Sequence, residues 1–245
     1  MTLEFILLIA VGFFAQLVDG ALGMAFGLIA TTAMLSLGLP PAQASAATHA
    51  AEVFTTGVSG LSHLYFRNIQ PRLFLALSLS GGVLGAYVLS NIDGKAIRPF
   101  IAAYLLILGL LILMKAFRLS PTSDDAKTGH AAPLGLVGGF LDAIGGGGWG
   151  PMVTSTLIGS GHAPRTVIGS VNAAEFFVTV AVSTTFFIEL GMTHLSHVAA
   201  LVIGGVLAAP FGGFVVRRLR PHILMGVVGF LVAGLALVQL VRAFA

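Results

Sequence analysis

Four acidic residues lie inside apolar segments of the sequence, where an ionisable side chain is costly and indicates a function by default. They are Asp19, Glu52, Asp142 and Glu175. A shift of 123 residues places the first aspartate on the second and the first glutamate on the second. Because the whole chain has only nine acidic residues, this agreement predicts an internal repeat.

The glutamates belong to two short motifs, His49-Ala-Ala-Glu52 and Asn172-Ala-Ala-Glu175. Residues three apart share one face of a helix. Glu52 lies about 15 Å into its predicted helix, near the middle of a hydrocarbon core about 30 Å thick. The carboxyl groups could relay protons or line a substrate site. Two alternatives stay open: they could only hydrogen-bond the helices, or His49 and Glu52 could bind a metal. No third ligand is evident, so no metal site is predicted.

The aspartates precede two glycine-rich stretches, GALGMAFG after Asp19 and AIGGGGWG after Asp142. A helix that begins after such a stretch has free N–H groups, which bind anions. Broken helices at membrane depth are typical of a central transport site. The alternative is that the aspartates only cap the next helix and the single tryptophan only packs. The substrate-site candidates in these stretches are Gly23, Gly146, Gly147 and Trp149.

Hydroxyl side chains follow both glycine stretches at the same offset: Thr31, Thr32, Thr154 and Ser155. They could bind a ligand, or they could hydrogen-bond to the carbonyl four residues earlier in their own helix. No lysine or arginine lies deep in an apolar segment. A transported anion would therefore be bound by amides, hydroxyls and imidazole.

The composition places all these residues in a membrane protein. Of the 245 residues, 57% are hydrophobic and 9% are charged, whereas a soluble domain has about 25% charged residues. The mean hydropathy is +1.01. These values exclude a soluble globular domain, a disordered chain and a nucleic-acid binder. The absence of cysteine excludes disulfides and thiolate sites, and no cofactor is predicted. The first residues include no basic stretch, which predicts no cleaved signal peptide.

We predict an all-α, polytopic fold of two repeats, residues 1–117 and 133–245, joined by a cytoplasmic loop at 118–132. Each repeat consists of a glycine-broken pair of short helices and three spanning helices. The predicted helices are 3–17, 21–37, 42–66, 71–90, 97–117, 133–143, 148–160, 164–189, 194–216 and 222–243.

The basic residues predict how the repeats are oriented. If each repeat crosses the membrane an odd number of times, nine basic residues share one side and three share the other, whereas an even number gives six and six. The positive-inside rule favours the first arrangement. It predicts inverted repeats and termini on the periplasmic side. The nine predicted cytoplasmic residues are Arg67, Arg72, Lys115, Arg118, Lys127, Arg165, Arg217, Arg218 and Arg220.

The two glycine stretches together with the HAAE and NAAE motifs resemble the TauE/SafE sulfite-exporter family, also called TSUP, over essentially the whole chain. The resemblance implies a bacterial inner-membrane transporter that exports sulfite or an organosulfonate such as sulfoacetate. The residues at the family's motif positions are Asp19, His49, Glu52, Asp142, Asn172 and Glu175.

We predict a secondary transporter of a small anion coupled to protons. The alternatives are a passive anion channel and, remotely, an intramembrane enzyme using Asp19 and Asp142 as a carboxylate pair. The predicted partners are the anion, protons and lipid, without nucleic acid; no oligomeric state is predicted.

Overall fold

The computed structural model describes residues 3–78, 81–116, 130–160, 162–191, 194–211 and 221–244. These ranges contain helices and no strand, which confirms the all-α prediction. A π-helical turn (Gly150–Thr154) precedes α8, and a 3-10 turn (Ala209–Phe211) follows α10. The α-helices are α1 (Leu3–Leu22), α2 (Phe26–Ser36), α3 (Pro41–Tyr65), α4 (Pro71–Leu77), α5 (Gly82–Ser90), α6 (Gly94–Ala116), α7 (Ala131–Gly145), α8 (Ser155–Gly159), α9 (Pro164–Leu190), α10 (Leu195–Ala208) and α11 (Pro221–Phe244).

The first helix break lies later in the chain than predicted. Helix α1 continues to Leu22 instead of ending at residue 17, and the chain turns at residues 23–25. Gly23 has φ 65° and Ala25 has φ 115°, so the left-handed backbone that ends the helix occurs there. Parts of the predicted linker and of the predicted helix 194–216 lie outside the described residues. Outside them also lie Arg118, Lys127, Arg217, Arg218 and Arg220.

The distribution of polar side chains is the reverse of that in a soluble protein. Large apolar side chains cover the outside, with Phe100 74% exposed, Ile188 73% and Phe230 76%. Polar side chains such as Gln16 and Thr48 are fully buried. This surface suits a solvent of lipid tails, and it confirms a protein that resides in the membrane.

Four helical segments in the described ranges are long and apolar enough to cross a membrane: α1, the α4–α5 segment, α6 and α9. The apolar helices α2, α7 and α10 are shorter. Helix α3 has 25 residues, but it buries many hydroxyl groups together with His49 and Glu52. The described helices therefore form a multi-pass bundle in which α3 carries much of the buried polarity.

Glycines allow several helix pairs to approach backbone to backbone, as is usual in membranes. A methyl group added to Gly12 of α1 would lie 2.5 Å from the backbone oxygen of Leu201 in α10. One added to Gly109 of α6 would lie 2.7 Å from the backbone nitrogen of Ala233 in α11. These contacts join elements of the first half to elements of the second.

The α1–α2 pair begins and ends at one end of the bundle. At the start of α1, Glu4 contacts His197 in the first turn of α10, and His194 before α10 contacts Gln43 in the first turn of α3. At the end of α2, the backbone oxygen of Leu35 accepts a hydrogen bond from Arg98, close to the start of α6.

The α7–α8 pair also begins and ends at one end, because His130 before α7 and Ser160 after α8 line the same cavity. A neighbouring cavity, which shares Met152 and Thr156 with it, reaches Lys115 near the other end of α6. The outer ends of the α1–α2 pair thus lie near the start of α6, and those of the α7–α8 pair lie near its other end. Whether the halves form inverted repeats stays a prediction, as do the boundaries at residues 117 and 133.

Candidate functional site

The two helix breaks cross each other at the centre of the bundle. A methyl group on Gly27, at the start of α2, would lie 2.9 Å from the Cα of Gly147. A methyl group on Gly150, which is related to Gly27 by the 123-residue offset, would lie 2.5 Å from the Cα of Met24. The same close approach therefore occurs twice, once from each half, and only glycine fits at both positions.

Two threonines connect the breaks in the same reciprocal way. Thr31 Oγ1 donates a hydrogen bond to the backbone oxygen of Gly146. Thr154 Oγ1 donates one to the backbone oxygen of Gly23 over 2.9 Å. Both hydroxyls therefore bond across the halves and not to the carbonyl four residues earlier. For Thr31 and Thr154 this excludes the alternative in which a helical hydroxyl bonds to the carbonyl four residues earlier in its own helix.

Each aspartate accepts a hydrogen bond from the first N–H group beyond its break. Asp142 Oδ1 lies 2.9 Å from the nitrogen of Trp149, and Asp19 Oδ1 lies 3.4 Å from the nitrogen of Phe26. Both carboxyl groups thus satisfy free helix-start donors, as a capping residue does. The second oxygen of Asp19 is buried without a hydrogen-bond partner.

His49 connects the halves through a hydrogen bond that contains one titratable proton. Its Nδ1 lies 2.8 Å from the backbone oxygen of Ser45, which can only accept, so Nδ1 carries a hydrogen. Its Nε2 lies 3.1 Å from Asp142 Oδ2. A hydrogen bond between these two atoms needs one proton, located on either the nitrogen or the oxygen.

The two glutamates are buried beside the crossing. Glu52 Oε1 would lie 2.9 Å from a methyl group on Gly27, and Glu52 Oε2 has no hydrogen-bond partner in the part of the chain that the structure describes. Glu175 is 6% exposed and interacts electrostatically with Asp19, Glu52 and Asp142. Within the described ranges, the two ion pairs are His49–Asp142 and His197–Glu4, so no lysine or arginine is paired with these carboxyl groups.

Asn172 occupies the position equivalent to His49 but has different partners. Its Nδ2 donates to the backbone oxygen of Ile168 over 3.0 Å, which repeats the bond from His49 to Ser45. Its Oδ1 accepts a hydrogen bond from Ser59 of α3. Asn172 therefore joins α9 to α3, whereas His49 joins α3 to the second break. No group of three or more His, Asp or Glu side chains suited to a metal ion occurs in the described ranges.

Comparison with known proteins identifies the family. A family profile described as "Sulfite exporter TauE/SafE" matches residues 8–238. The chain belongs to the TauE/SafE sulfite exporter family. "Probable membrane transporter protein YtnM" of Bacillus subtilis (strain 168) is 39% identical over 235 residues, covering 91% of this chain and 78% of that protein. "Probable membrane transporter protein ORF9" of a Sinorhizobium sp is 30% identical over 215 residues, covering 82% and 73%. No solved structure matches significantly.

The family and these names indicate a membrane transporter and not an enzyme. The candidate site residues of this TauE/SafE member come from six elements that meet at the crossing: α1, α2, α3, α7, the π-helical turn and α9. A π-helical turn inside a helix often marks a functional site. Here it follows directly on Trp149, whose side chain is fully buried and whose Nε1 has no hydrogen-bond partner.

Tyr104 of α6 is a residue of this TauE/SafE member that sequence reasoning missed. Its ring lies against Gly145, and its hydroxyl, which has no hydrogen-bond partner, lies where a side chain on Gly148 would be. At the position of the first break equivalent to Gly148, Ala25 also has a positive φ but carries a methyl group. Gly145 and Gly148 of the second break thus make room for this side chain. A single tyrosine in an apolar helix does not by itself indicate a functional residue.

We expect the His49–Asp142 hydrogen bond to stabilise the contact between the halves. The variants His49→Asn and Asp142→Asn, alone and together, form a double-mutant cycle. The bond is buried and involves a charged group, so the coupling energy should be at least about 1.5 kcal/mol. It is measured as the free energy of unfolding in detergent. Additive effects of the two substitutions would contradict a direct link.

Proposed function

We propose that this TauE/SafE member exports a small anion, either sulfite or an organosulfonate such as sulfoacetate, coupled to protons. One observation carries the proposal: two crossed helix breaks hold four buried carboxyl groups and His49, with no lysine or arginine paired to them in the described ranges. A metabolite anion can bind there only if protons neutralise the carboxylates.

Charge repulsion links anion binding to protonation at this site. Two like charges about 4 Å apart repel by about 4 kcal/mol at an effective dielectric constant of 20. An anion next to ionised Glu52 and Glu175 would bind poorly, and protonation of either group would favour it. By thermodynamic linkage, a bound anion would favour protonation to the same extent. The proton shared by His49 and Asp142 provides a further coupling point beside the glutamates.

The predicted inverted repeats provide a route for the movement. The halves meet through reciprocal contacts at the crossing, and the two broken helix pairs open toward opposite ends of the bundle. A small rotation of one half against the other would expose the crossing to one end and then to the other. In this proposal the protein lies in the bacterial inner membrane, with its termini on the periplasmic side.

The alternatives make different demands on the site. A passive anion channel needs no proton, so its transport would never depend on a pH gradient. An aspartyl-type enzyme needs a proton shared between Asp19 and Asp142. Both oxygens of Asp142 are already hydrogen-bonded, to Trp149 and to His49, which supports transport over that chemistry.

The proposal predicts that anions stabilise the purified protein and that acid strengthens the effect. Sulfite, sulfoacetate, taurine and sulfate are compared by thermal unfolding in detergent, with choline as a cationic control. At a concentration 100 times the Kd, a ligand stabilises by about 2.7 kcal/mol. We expect the largest effect from sulfoacetate or sulfite, and a tighter apparent Kd for sulfoacetate at pH 6 than at pH 8. Stabilisation by choline alone would contradict an anion site.

A transport assay completes the test. Proteoliposomes loaded with labelled sulfoacetate should release it at a rate that changes when a pH gradient is imposed. Release that ends at electrochemical equilibrium under every pH gradient would favour the channel.

A further inference from the structure

Two adjoining cavities lie between α6, α7 and α8, and neither has a carboxyl group in its lining. The outer cavity, of 330 Å³, includes His130, Ser160 and His162 in its lining. The inner cavity, of 190 Å³, runs along α6 and α8. Met152 and Thr156 line both, so the two cavities are neighbours on one side of the second helix break.

One face of α6 forms a wall of the inner cavity, from the C-terminal end of the helix to the second helix break. The residues on this face are Tyr104, Leu108, Leu111, Ile112 and Lys115. From Lys115 to Tyr104 the helix rises about 16 Å. The amino group of Lys115 is the cation at the outer end. At the inner end, the Tyr104 hydroxyl lies against Gly148 of the break, where it is buried and has no hydrogen-bond partner among the described residues.

A buried hydroxyl without a partner is costly, so it calls for an explanation. Phenylalanine would fill the same space beside Gly145 and Gly148 without that cost. Packing therefore accounts for the ring but not for the hydroxyl. A ligand that accepts a hydrogen bond at the inner end of the cavity would account for it.

Most of the polar lining occurs in one repeat only; among the polar lining residues, Ser155 alone corresponds to a polar residue, Thr32. The 123-residue offset relates Tyr104 to Val227 and Lys115 to Val238. The outer cavity shows the same difference: His130, Thr156, Ser160 and His162 correspond to Leu7, Ala33, Leu37 and Leu39. The first helix pair folds with apolar residues at all these positions. The polar side chains of the second pair are therefore not required by the shared architecture.

We propose that these cavities form a loading vestibule, through which an organic anion reaches the second helix break. The proposal rests on the proposed transport function and deepens it. Lys115 attracts the anion, the imidazoles of His130 and His162 provide N–H donors to it, and the Tyr104 hydroxyl donates to it beside Gly148. The inner walls include Leu108, Ile112 and Leu141, which can contact the carbon of an organosulfonate that bare sulfite lacks. The vestibule thus selects organosulfonates over bare sulfite.

The vestibule also gives transport a direction. Its lining includes Lys115, one of the nine basic residues predicted to lie on the cytoplasmic side. A polar entrance on that side, without an equivalent in the first repeat, favours loading from the cytoplasm. The polar residues are thus placed where an exporter binds its substrate.

The first test measures binding of sulfoacetate to the full chain in detergent. Tyr104→Phe keeps the ring and removes only the donor, so the Kd should rise about tenfold, as expected for a hydrogen bond to a charged group. Lys115→Gln, at the outer end, should raise the Kd by about threefold to tenfold. Val227→Ala changes the exposed residue equivalent to Tyr104 and should leave the Kd unchanged.

The second test uses the absence of cysteine in the chain. Ser160→Cys places a single thiol in the outer cavity, and Leu37→Cys places one at the equivalent position in the first repeat. In inside-out membrane vesicles, a membrane-impermeant maleimide should label the Ser160→Cys protein, and sulfoacetate should slow that labelling. The maleimide should label the Leu37→Cys protein from the opposite side of the membrane, in right-side-out vesicles. Sulfoacetate should not slow that labelling.

The two proposals fail differently. If the unaltered protein binds and transports sulfoacetate, but Tyr104→Phe and Lys115→Gln change the Kd less than twofold and labelling at Ser160→Cys is not slowed, the vestibule is overturned and the transport function stands. If the unaltered protein neither binds nor transports any tested anion, the transport function itself is overturned.

Discussion

Glu52→Gln should abolish the response of anion release to a pH gradient and lower the gradient-driven rate at least about tenfold, a barrier change of about 1.4 kcal/mol. Glu52 lies at the crossing, with one oxygen near Gly27 and the other buried without a hydrogen-bond partner. Glutamine has the same shape but cannot exchange a proton. The rate is measured in proteoliposomes loaded with sulfoacetate, with and without the gradient. Glu175→Gln should also weaken the response to the gradient and lower the gradient-driven rate.

The stability of these variants separates transport from folding. Replacing a buried, unpaired carboxyl group with a neutral amide should leave the free energy of unfolding unchanged or raise it. Glu189→Gln is the matched control, because Glu189 lies at the end of α9 and contacts exposed Asn91, far along the helix from Glu175. It should transport normally. Normal gradient dependence in both Glu52→Gln and Glu175→Gln would remove the proton-relay role.

Gly147→Ala should destabilise the fold by about 3–5 kcal/mol. Gly147 has φ 158°, and a methyl group there would lie 2.5 Å from the backbone carbonyl carbon of Gly27. Since backbone atoms of both breaks form this contact, no side chain can move aside to relieve it. The free energy of unfolding in detergent measures the loss.

Gly234→Ala is the control for this prediction. Gly234 lies within α11, and no atom would lie within 4 Å of an added methyl group. Alanine should be neutral there or stabilise the helix by up to about 1 kcal/mol. Equal losses of stability for the two substitutions would show that the crossing does not require glycine at position 147.

Much of the site could be predicted from the sequence, because charges are rare in this chain. The offset that relates Asp19 to Asp142 and Glu52 to Glu175 located the carboxyl groups that the structure gathers at the crossing. Helix boundaries were predicted less well, since alanine and glycine between residues 18 and 22 are compatible with a helix in this setting. The break depended on the backbone of Gly23 and Ala25, which hydropathy does not describe.

The partners of these residues could not be predicted. Spacing alone allowed Thr31 and Thr154 to bond within their own helices, but both bond across the halves. His49 and Asn172 align in the repeat, yet only His49 contacts an aspartate. Tyr104 became visible only because the glycines at 145 and 148 leave space for its ring.

The sequence by itself determined that lipid is the solvent of this chain and which family it belongs to, and it predicts the repeat. Hydropathy sums over many residues, and the offset compares positions along the chain, so neither needs three-dimensional information. Only the tertiary structure decided which groups share a proton and which remain unpaired. Those contacts depend on how closely two backbones approach at the crossing. That distance is set by glycines in one half facing glycines and carbonyl groups in the other.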